Sequence, residues 1–356
     1  MRSFRVDSKM ELNGVGYALG AAALFGASTP AAKLLLRALS PLMLSALLYL
    51  GATIALSVYR FLAFQSRESQ ISRRDLPLIC GVIFFGGIVG PILMFLGLQR
   101  LSALTGSLLL NLEGPFTALF AVGLLREHLG RRETFAAAAI MLGGVLVGFQ
   151  PGLVAGSWIG ALEITVACLS WGIDNNLTQR VSLRDPVAVA RIKTLAAGSC
   201  VLVIALWQGS GEIPGATSLI CAGAVGALCY GVSIVLDVKA LRALGAAREA
   251  AYFATAPFVG ALLSIVVFRE LPNVSELAGA TLMIIGVAVL LRERHRHHHA
   301  HEAIFHEHLH IHDAHHEHEH DSAVVEPHSH PHVHSPLTHD HPHVSDLHHR
   351  HTHRSP

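Results

Sequence analysis

Charge is what this sequence has least of. Asp, Glu, Lys and Arg supply 14% of its 356 residues, against about a quarter in a soluble domain. That shortage excludes an ordinary water-facing surface for most of the chain. Histidine is missing from the same region: of 25 histidines, His128 alone precedes Arg292. The five cysteines, Cys80, Cys168, Cys200, Cys221 and Cys229, sit in apolar stretches and form no CxxC. They read as small buried apolar residues rather than a metal or redox motif. There is no phosphate-binding glycine loop, no Ser/His/Asp set and no HExxH within the apolar part, so no enzyme is expected. Arg2, Arg5 and Lys9 precede a first apolar segment that is long and lacks a small-residue cleavage site. This reads as an uncleaved first span rather than a signal peptide. The net charge of +1 is made of segregated charges and implies no nucleic acid and no acidic substrate.

What the chain has in quantity is apolar sequence, at 52%. A helix needs roughly 20 mostly apolar residues to cross the hydrocarbon core, and lipid offers its backbone no other partners. About ten segments qualify: 14–36, 42–64, 76–98, 102–125, 134–150, 157–179, 187–208, 216–237, 243–267 and 276–292. The expected divisions are a cytoplasmic start at 1–13, two halves at 14–150 and 151–292, and a polar tail at 293–356. Lys and Arg set the orientation. With a cytoplasmic N-terminus, the outer loops hold only Arg37, Arg100 and Arg269. The inner segments hold Arg2, Arg5 and Lys9, then Arg60, Arg67, Arg73 and Arg74, then Arg126, Arg131 and Arg132. Arg180, Arg184, Lys239, Arg242, Arg292, Arg294 and Arg296 complete the inner set. Trp158 and Trp207 fall near the outer interface, where aromatic belts form. An even number of spans returns the C-terminus and its histidines to the cytoplasm.

The halves repeat. "RLSALTGSLLLNLEGPFTALFAVGLLREHL" from Arg100 aligns with "RALGAAREAAYFATAPFVGALLSIVVFREL" from Arg242, pairing Arg100 with Arg242 and Pro115 with Pro257. After a one-residue slip, Arg126-Glu127 pairs with Arg269-Glu270, and "MLGGVLV" from Met141 pairs with "MIIGVAV" from Met283. An odd number of spans per half makes the second copy enter from the opposite side, an inverted repeat of the kind found in secondary transporters. The expected fold is therefore an all-α integral membrane protein, ten transmembrane helices as two inverted five-helix repeats, with a disordered tail. Ten spans, two halves, and a proline followed by Arg-Glu closing the fourth span of each half resemble EamA-type members of the drug/metabolite transporter superfamily. "SWGIDNNLTQ", the later "YGVSIVLDVKALRALGAAREAAYFATAPF" and the histidine-rich end resemble one bacterial branch of it. The resemblance implies an inner-membrane permease that moves a small organic solute, often outward, through a central cavity. It names no solute and leaves a homodimer open.

Polar residues inside the spans are the candidates for solute contact, because their burial in lipid is costly. Trp171, Asp174, Asn175 and Thr178 follow the spacing i, i+3, i+4, i+7 and share a helical face. Asp174 lies roughly 9 Å from the cytoplasmic end at 1.5 Å per residue. Arg191 and Lys193 re-enter at similar depth in the next span, so either could meet Asp174. A solute-binding wall and a plain structural ion pair are both open for this group. Glu113, deep in the fourth span beside Gly114-Pro115, reads as a solute contact or coupling-proton carrier, or as a hydrogen-bonded structural group. Lys33, Tyr230 and Tyr252 complete the set. Asp237, Lys239, Arg248 and Glu249 flank an inner loop, where they are expected to be solvated or paired. Gly86 and Gly90 have the small-xxx-small spacing that lets helices approach.

The tail is a metal-binding composition. His315, His316, His318, His320, His328, His330, His332, His334, His339, His341, His343, His348, His349, His351 and His353 alternate with other residues, some of them acidic. Neutral imidazole suits Ni, Co, Zn or Cu(II). No C2H2 or HExxH spacing defines a single site, and no cofactor is required. The partners expected are thus the bilayer, a small-molecule solute and divalent metal ions at the tail. Because the spans hold no histidine, the tail reads as an accessory to solute transport. The alternatives are a divalent metal exporter fed by the tail and a non-transporting metal-storage or sensory membrane protein.

Overall fold

The computed structural model describes residues 2–62, 71–125, 130–148, 157–181, 184–209, 214–244 and 246–291 of the apolar body, and 296–300, 304–310, 328–334 and 338–342 of the tail. Through Leu291 every described element is helical. α1 is Arg2–Leu35 and α2 is Pro41–Leu62. α3, Arg73–Arg100, opens with one 3-10 turn and contains a stretch of wide π-type turns at Val82–Val89. α4 covers 103–125, as Ala103–Leu109, a 3-10 turn at Leu110–Leu112, and Glu113–Leu125. α5 is Arg131–Gly148, α6 is Ser157–Arg180 and α7 is Pro186–Trp207. α8 covers 216–244 with π-type turns at Gly226–Val232. α9 covers 246–268, as Ala246–Phe253 and Ala256–Phe268, and α10 is Val274–Leu291.

Seven of these helices are long and apolar enough to cross a bilayer: the Leu12–Leu35 part of α1, then α2, α3, α7, the greater part of α8 (Ala216–Leu241), the Glu249–Phe268 part of α9, and α10. This is a multi-pass membrane protein. The first helix begins well before residue 14, because no proline or glycine lies between Arg2 and Gly14 to stop it.

Local chemistry sets the ends. Ser102 caps α4, its hydroxyl accepting from the Thr105 amide at 3.0 Å. Asp185 caps α7 through the amides of Val187 (3.0 Å) and Ala188 (3.1 Å), and Pro186 takes the first helical position, where a missing N–H costs nothing. α9 stops at Arg269, which adopts the left-handed conformation at φ 56°.

Packing follows a pattern. α1 lies on α8 and α9, and α6 lies correspondingly on α3 and α4. α2 packs on α8, and α7 on α3; α2 meets α7, α4 meets α9, and α5 meets α10. Exchanging α1–α5 for α6–α10 turns this set of contacts into itself. Every one of these contacts joins a helix of 14–150 to a helix of 151–292, so the halves interleave. Small residues make the approach close. A Cβ on Gly143 of α5 would lie 2.7 Å from the Gly279 carbonyl of α10, and one on Gly286 would lie 2.8 Å from the Ala136 carbonyl.

Beyond Leu291 the described residues are four short extended segments. β1 (Arg296–Ala300) pairs antiparallel with β4 (Thr338–Pro342), and β2 (Ile304–His310) with β3 (His328–His334). The alternation of His with other residues is the period-two pattern of an extended segment. The register sets His306 opposite His332, His308 opposite His330 and His310 opposite His328.

Candidate functional site

The site is built around the C-terminal half of α6. Nothing in Ser157–Arg180 breaks the helix, so Trp171, Asp174 and Thr178 stack along one side at i, i+3 and i+7. That side faces α3, where glycines make room: a Cβ on Gly90 would lie 2.5 Å from the Trp171 Nε1, and one on Gly86 would overlap the Asp174 carboxylate. Asp174 is 3% exposed. Its Oδ2 pairs with the Lys193 ammonium from α7, and its Oδ1 accepts from the Thr178 hydroxyl at 3.3 Å. Of the two cations expected near it, Lys193 is the partner; Arg191 is half-buried two residues away.

Asn175 turns toward α4 instead. Its amide donates to Glu113 Oε1 at 2.8 Å and to the Thr117 hydroxyl oxygen at 3.1 Å. Glu113 lies within electrostatic reach of Asp174 and Lys193. Two acids, one base and an amide from α4, α6 and α7 thus share one polar cluster inside an apolar bundle. Asn176 fastens α6 to α4 next to it, donating to the Thr117 carbonyl at 3.0 Å.

The wide turns of α3 add to this cluster. The Gly90 amide donates to the Phe85 carbonyl, and the next residue, Pro91, has no N–H to give. The Gly86 carbonyl therefore has no donor in its own helix. It accepts instead from the Tyr49 hydroxyl of α2 at 2.9 Å and from Trp171 Nε1 at 3.2 Å. The Ser170 hydroxyl donates to the Phe85 carbonyl at 2.9 Å. Tyr230 of α8 extends the aromatic side of the cluster, its ring 5.9 Å from Tyr49 and 5.7 Å from Phe25.

Two expected residues lie elsewhere. The Lys33 ammonium donates to the carbonyls of Leu98 (2.7 Å), Gln99 (3.3 Å) and Leu101 (2.6 Å), closing the end of α3. Tyr252 is half-buried on the first segment of α9, where its carbonyl accepts from the Thr255 hydroxyl. Tyr49, Ser170 and Thr117 were not singled out from the sequence, and Gly86 was singled out only for close helix approach, not for its carbonyl. Thr117 stands one turn after Glu113, and Gly86 stands five residues before Pro91; both spacings are visible signals in retrospect.

Among the described residues, no group of three or more His, Cys, Asp or Glu could hold a metal ion. His328, His330, His332, His334, His339 and His341 lie in β3 and β4. His315, His316, His318, His320, His343, His348, His349, His351 and His353 lie outside the described residues.

Comparison with known proteins places this geometry. The model of the EamA-like transporter family matches residues 12–149 and matches again at 158–292. An uncharacterized transporter of Methanothermobacter thermautotrophicus is 26% identical over 283 residues, which cover 75% of this chain and 82% of that protein. A Pseudomonas aeruginosa protein is 33% identical over 194 residues, 54% of this chain and 66% of its own length. A solved crystal structure superposes with a TM-score of 0.57 at 20% identity, covering 79% of this chain and 96% of that one.

Proposed function

The chain belongs to the EamA-like transporter family, and from that premise we propose that it is an inner-membrane secondary transporter exporting a small organic solute by alternating access. In this reading ten helices cross the membrane as two inverted repeats, with both termini in the cytoplasm. The double family match and the contact pattern that survives exchange of the halves support it, as does the one-sided distribution of Lys and Arg.

The observation that carries the solute reading is the cluster of Asp174, Lys193, Asn175 and Glu113. Buried ionic groups cost more than they return unless fully partnered, and inside a membrane they mark solute paths by default. An acid and a base held at one depth fit a zwitterionic or charged polar solute, with Trp171, Tyr49 and Tyr230 beside it for an apolar or aromatic part. Thr178 and Arg191 stand on the cytoplasmic side of the pair. The test compares solutes retained by cells lacking the protein with those lost from cells overproducing it, metals included. Asp174→Asn should abolish the difference at unchanged membrane abundance. Unchanged export by that variant would refute the site.

The tail is proposed as a cytoplasmic metal buffer or sensor. The register of β2 and β3 sets three pairs of histidines opposite one another along the chain. Nickel or zinc binding by the membrane-embedded full chain, lost on truncation after Arg294, is the expected result.

A further inference from the structure

Where α3 ends and α4 begins, the first half is gripped by charge from two sides. The Glu270 carboxylate, on the connection between α9 and α10, accepts from the amides of Ala103 (3.3 Å) and Leu104 (2.9 Å), the first two residues of α4. Those amides have no partner inside their own helix, and an anion suits that end of the helix dipole. Across the same turn, the Lys33 ammonium of α1 holds the carbonyls of Leu98 and Leu101, a cation on the end that favours one. A second tie lies beside the first. The Ser102 hydroxyl donates to the Thr105 hydroxyl oxygen at 2.9 Å, and the Thr105 hydroxyl donates to Glu276 Oε1 of α10 at 2.6 Å. The second half thus fastens the start of α4 twice, through Glu270 and through Glu276.

The two fastenings differ in kind. Glu276 is 6% exposed and fixed in place: its Oε2 accepts from the Asn273 amide, and Asn273 Oδ1 accepts from the Glu276 amide, both at 2.9 Å. Glu270 is half-buried and follows Arg269 directly. Among the described residues, Arg269 is the only non-glycine with a positive φ, at 56°. A Cβ is crowded in that conformation, and glycine is the usual choice just past the end of a helix. With arginine there, the bend that aims Glu270 at α4 is held under strain, and letting the carboxylate go lets the backbone relax. Strain of this kind collects at switch regions.

We infer that Glu270 is a releasable latch: while it holds the α4 amides, the halves are shut together at this end of the bundle, and its release opens that end. The connection that carries the latch and the helix that it grips belong to opposite halves, so the contact cannot outlast their separation there. Glu276 is the fixed tie about which the latch opens. The proposed topology puts this end outside, where an exported solute leaves. The role as an exit gate rests on the transporter reading.

Distances between spin labels on the purified full chain in lipid test this with no cargo present. The five native cysteines are first replaced by alanine. One label pair goes on Gln99 and Leu271, exposed residues at the latched end, and another on Leu76 and Ala250, exposed residues at the opposite end. Glu270→Ala should shift the first distance to longer values and the second to shorter ones, because halves that rock move at both ends. Glu270→Gln keeps the shape of the side chain and weakens its bonds to the amides; it should give the same shifts in part of the population, and it serves if the alanine variant does not fold. Unchanged distances in the folded variants would overturn the latch. A longer first distance with an unmoved second would reduce Glu270 to a static helix cap and overturn it as well. Distances that do not move would leave the Asp174 export result untouched, and export that survives Asp174→Asn would leave the two-ended movement standing.

Discussion

At Asp174 a structural ion pair and a solute contact forecast different outcomes. Breaking a buried pair by removing one partner costs about 3–5 kcal/mol. The Lys193 side chain is 21% exposed, which places Asp174→Asn toward the lower end. Adding Lys193→Met removes the stranded charge. The double variant should recover most of the melting temperature and none of the export, whereas a purely structural pair would recover both. Glycines supply a second contrast. Gly86→Ala and Gly90→Ala drive a methyl group into Asp174 and Trp171 and should destabilise by about 1–3 kcal/mol. Gly114, with nothing within 4 Å of an added Cβ, should gain about 0.5–1 kcal/mol from the same change; thermal unfolding of purified protein separates them. Periodicity in the sequence reached the face of α6 but not the partners. Spacing puts Arg191 and Lys193 at one depth, and only helix phase and side-chain reach choose Lys193. A lone lysine near a span end carries no mark that it will close a neighbouring helix, as Lys33 does.

Helix ends were easier to read than helix interiors. Asp185-Pro186 announces the start of α7, and the cap is there, with Arg60 also reaching Asp185 Oδ2 at 2.5 Å. Asp185→Ala should cost about 0.5–2 kcal/mol for the cap and more for the lost pair. Asp185→Asn should keep the cap and lose only the charge, a smaller drop in melting temperature. The π-type turns of α3 and α8 were not legible. Hydrophobic patterning averages over a turn, and one surplus residue leaves it unchanged. Only Gly86 with Pro91 five residues later gives a physical reason at one of the two places, by depriving a carbonyl of its donor.

The repeat was visible in the chain, but the interleaving was not. Sequence similarity says that residues 14–150 and 151–292 are copies; it does not say that each copy lays its helices on the other. Because the major contacts cross between them, neither half buries its own faces. Expressed alone, either half should be degraded. Expressed together from a chain cut between 149 and 157, they should assemble, as pull-down of one by a tag on the other would report. A reporter fused after Pro356 should be active only in the cytosol; activity outside would reverse the proposed topology. The alternation of the tail's histidines points to extended segments, but it does not say which histidines stand opposite one another.

The oxygen of Gly86 ties both copies to one atom: Tyr49 holds it from the first, Trp171 from the second. Any rocking of α6 over α3 must free the indole N–H and leave it seeking water or cargo. Trp158 and Trp207 are 55% and 86% exposed, so Trp171 alone among the three tryptophans senses the interior. Its fluorescence, isolated by replacing the other two with phenylalanine, is a built-in gauge of when the protein changes shape.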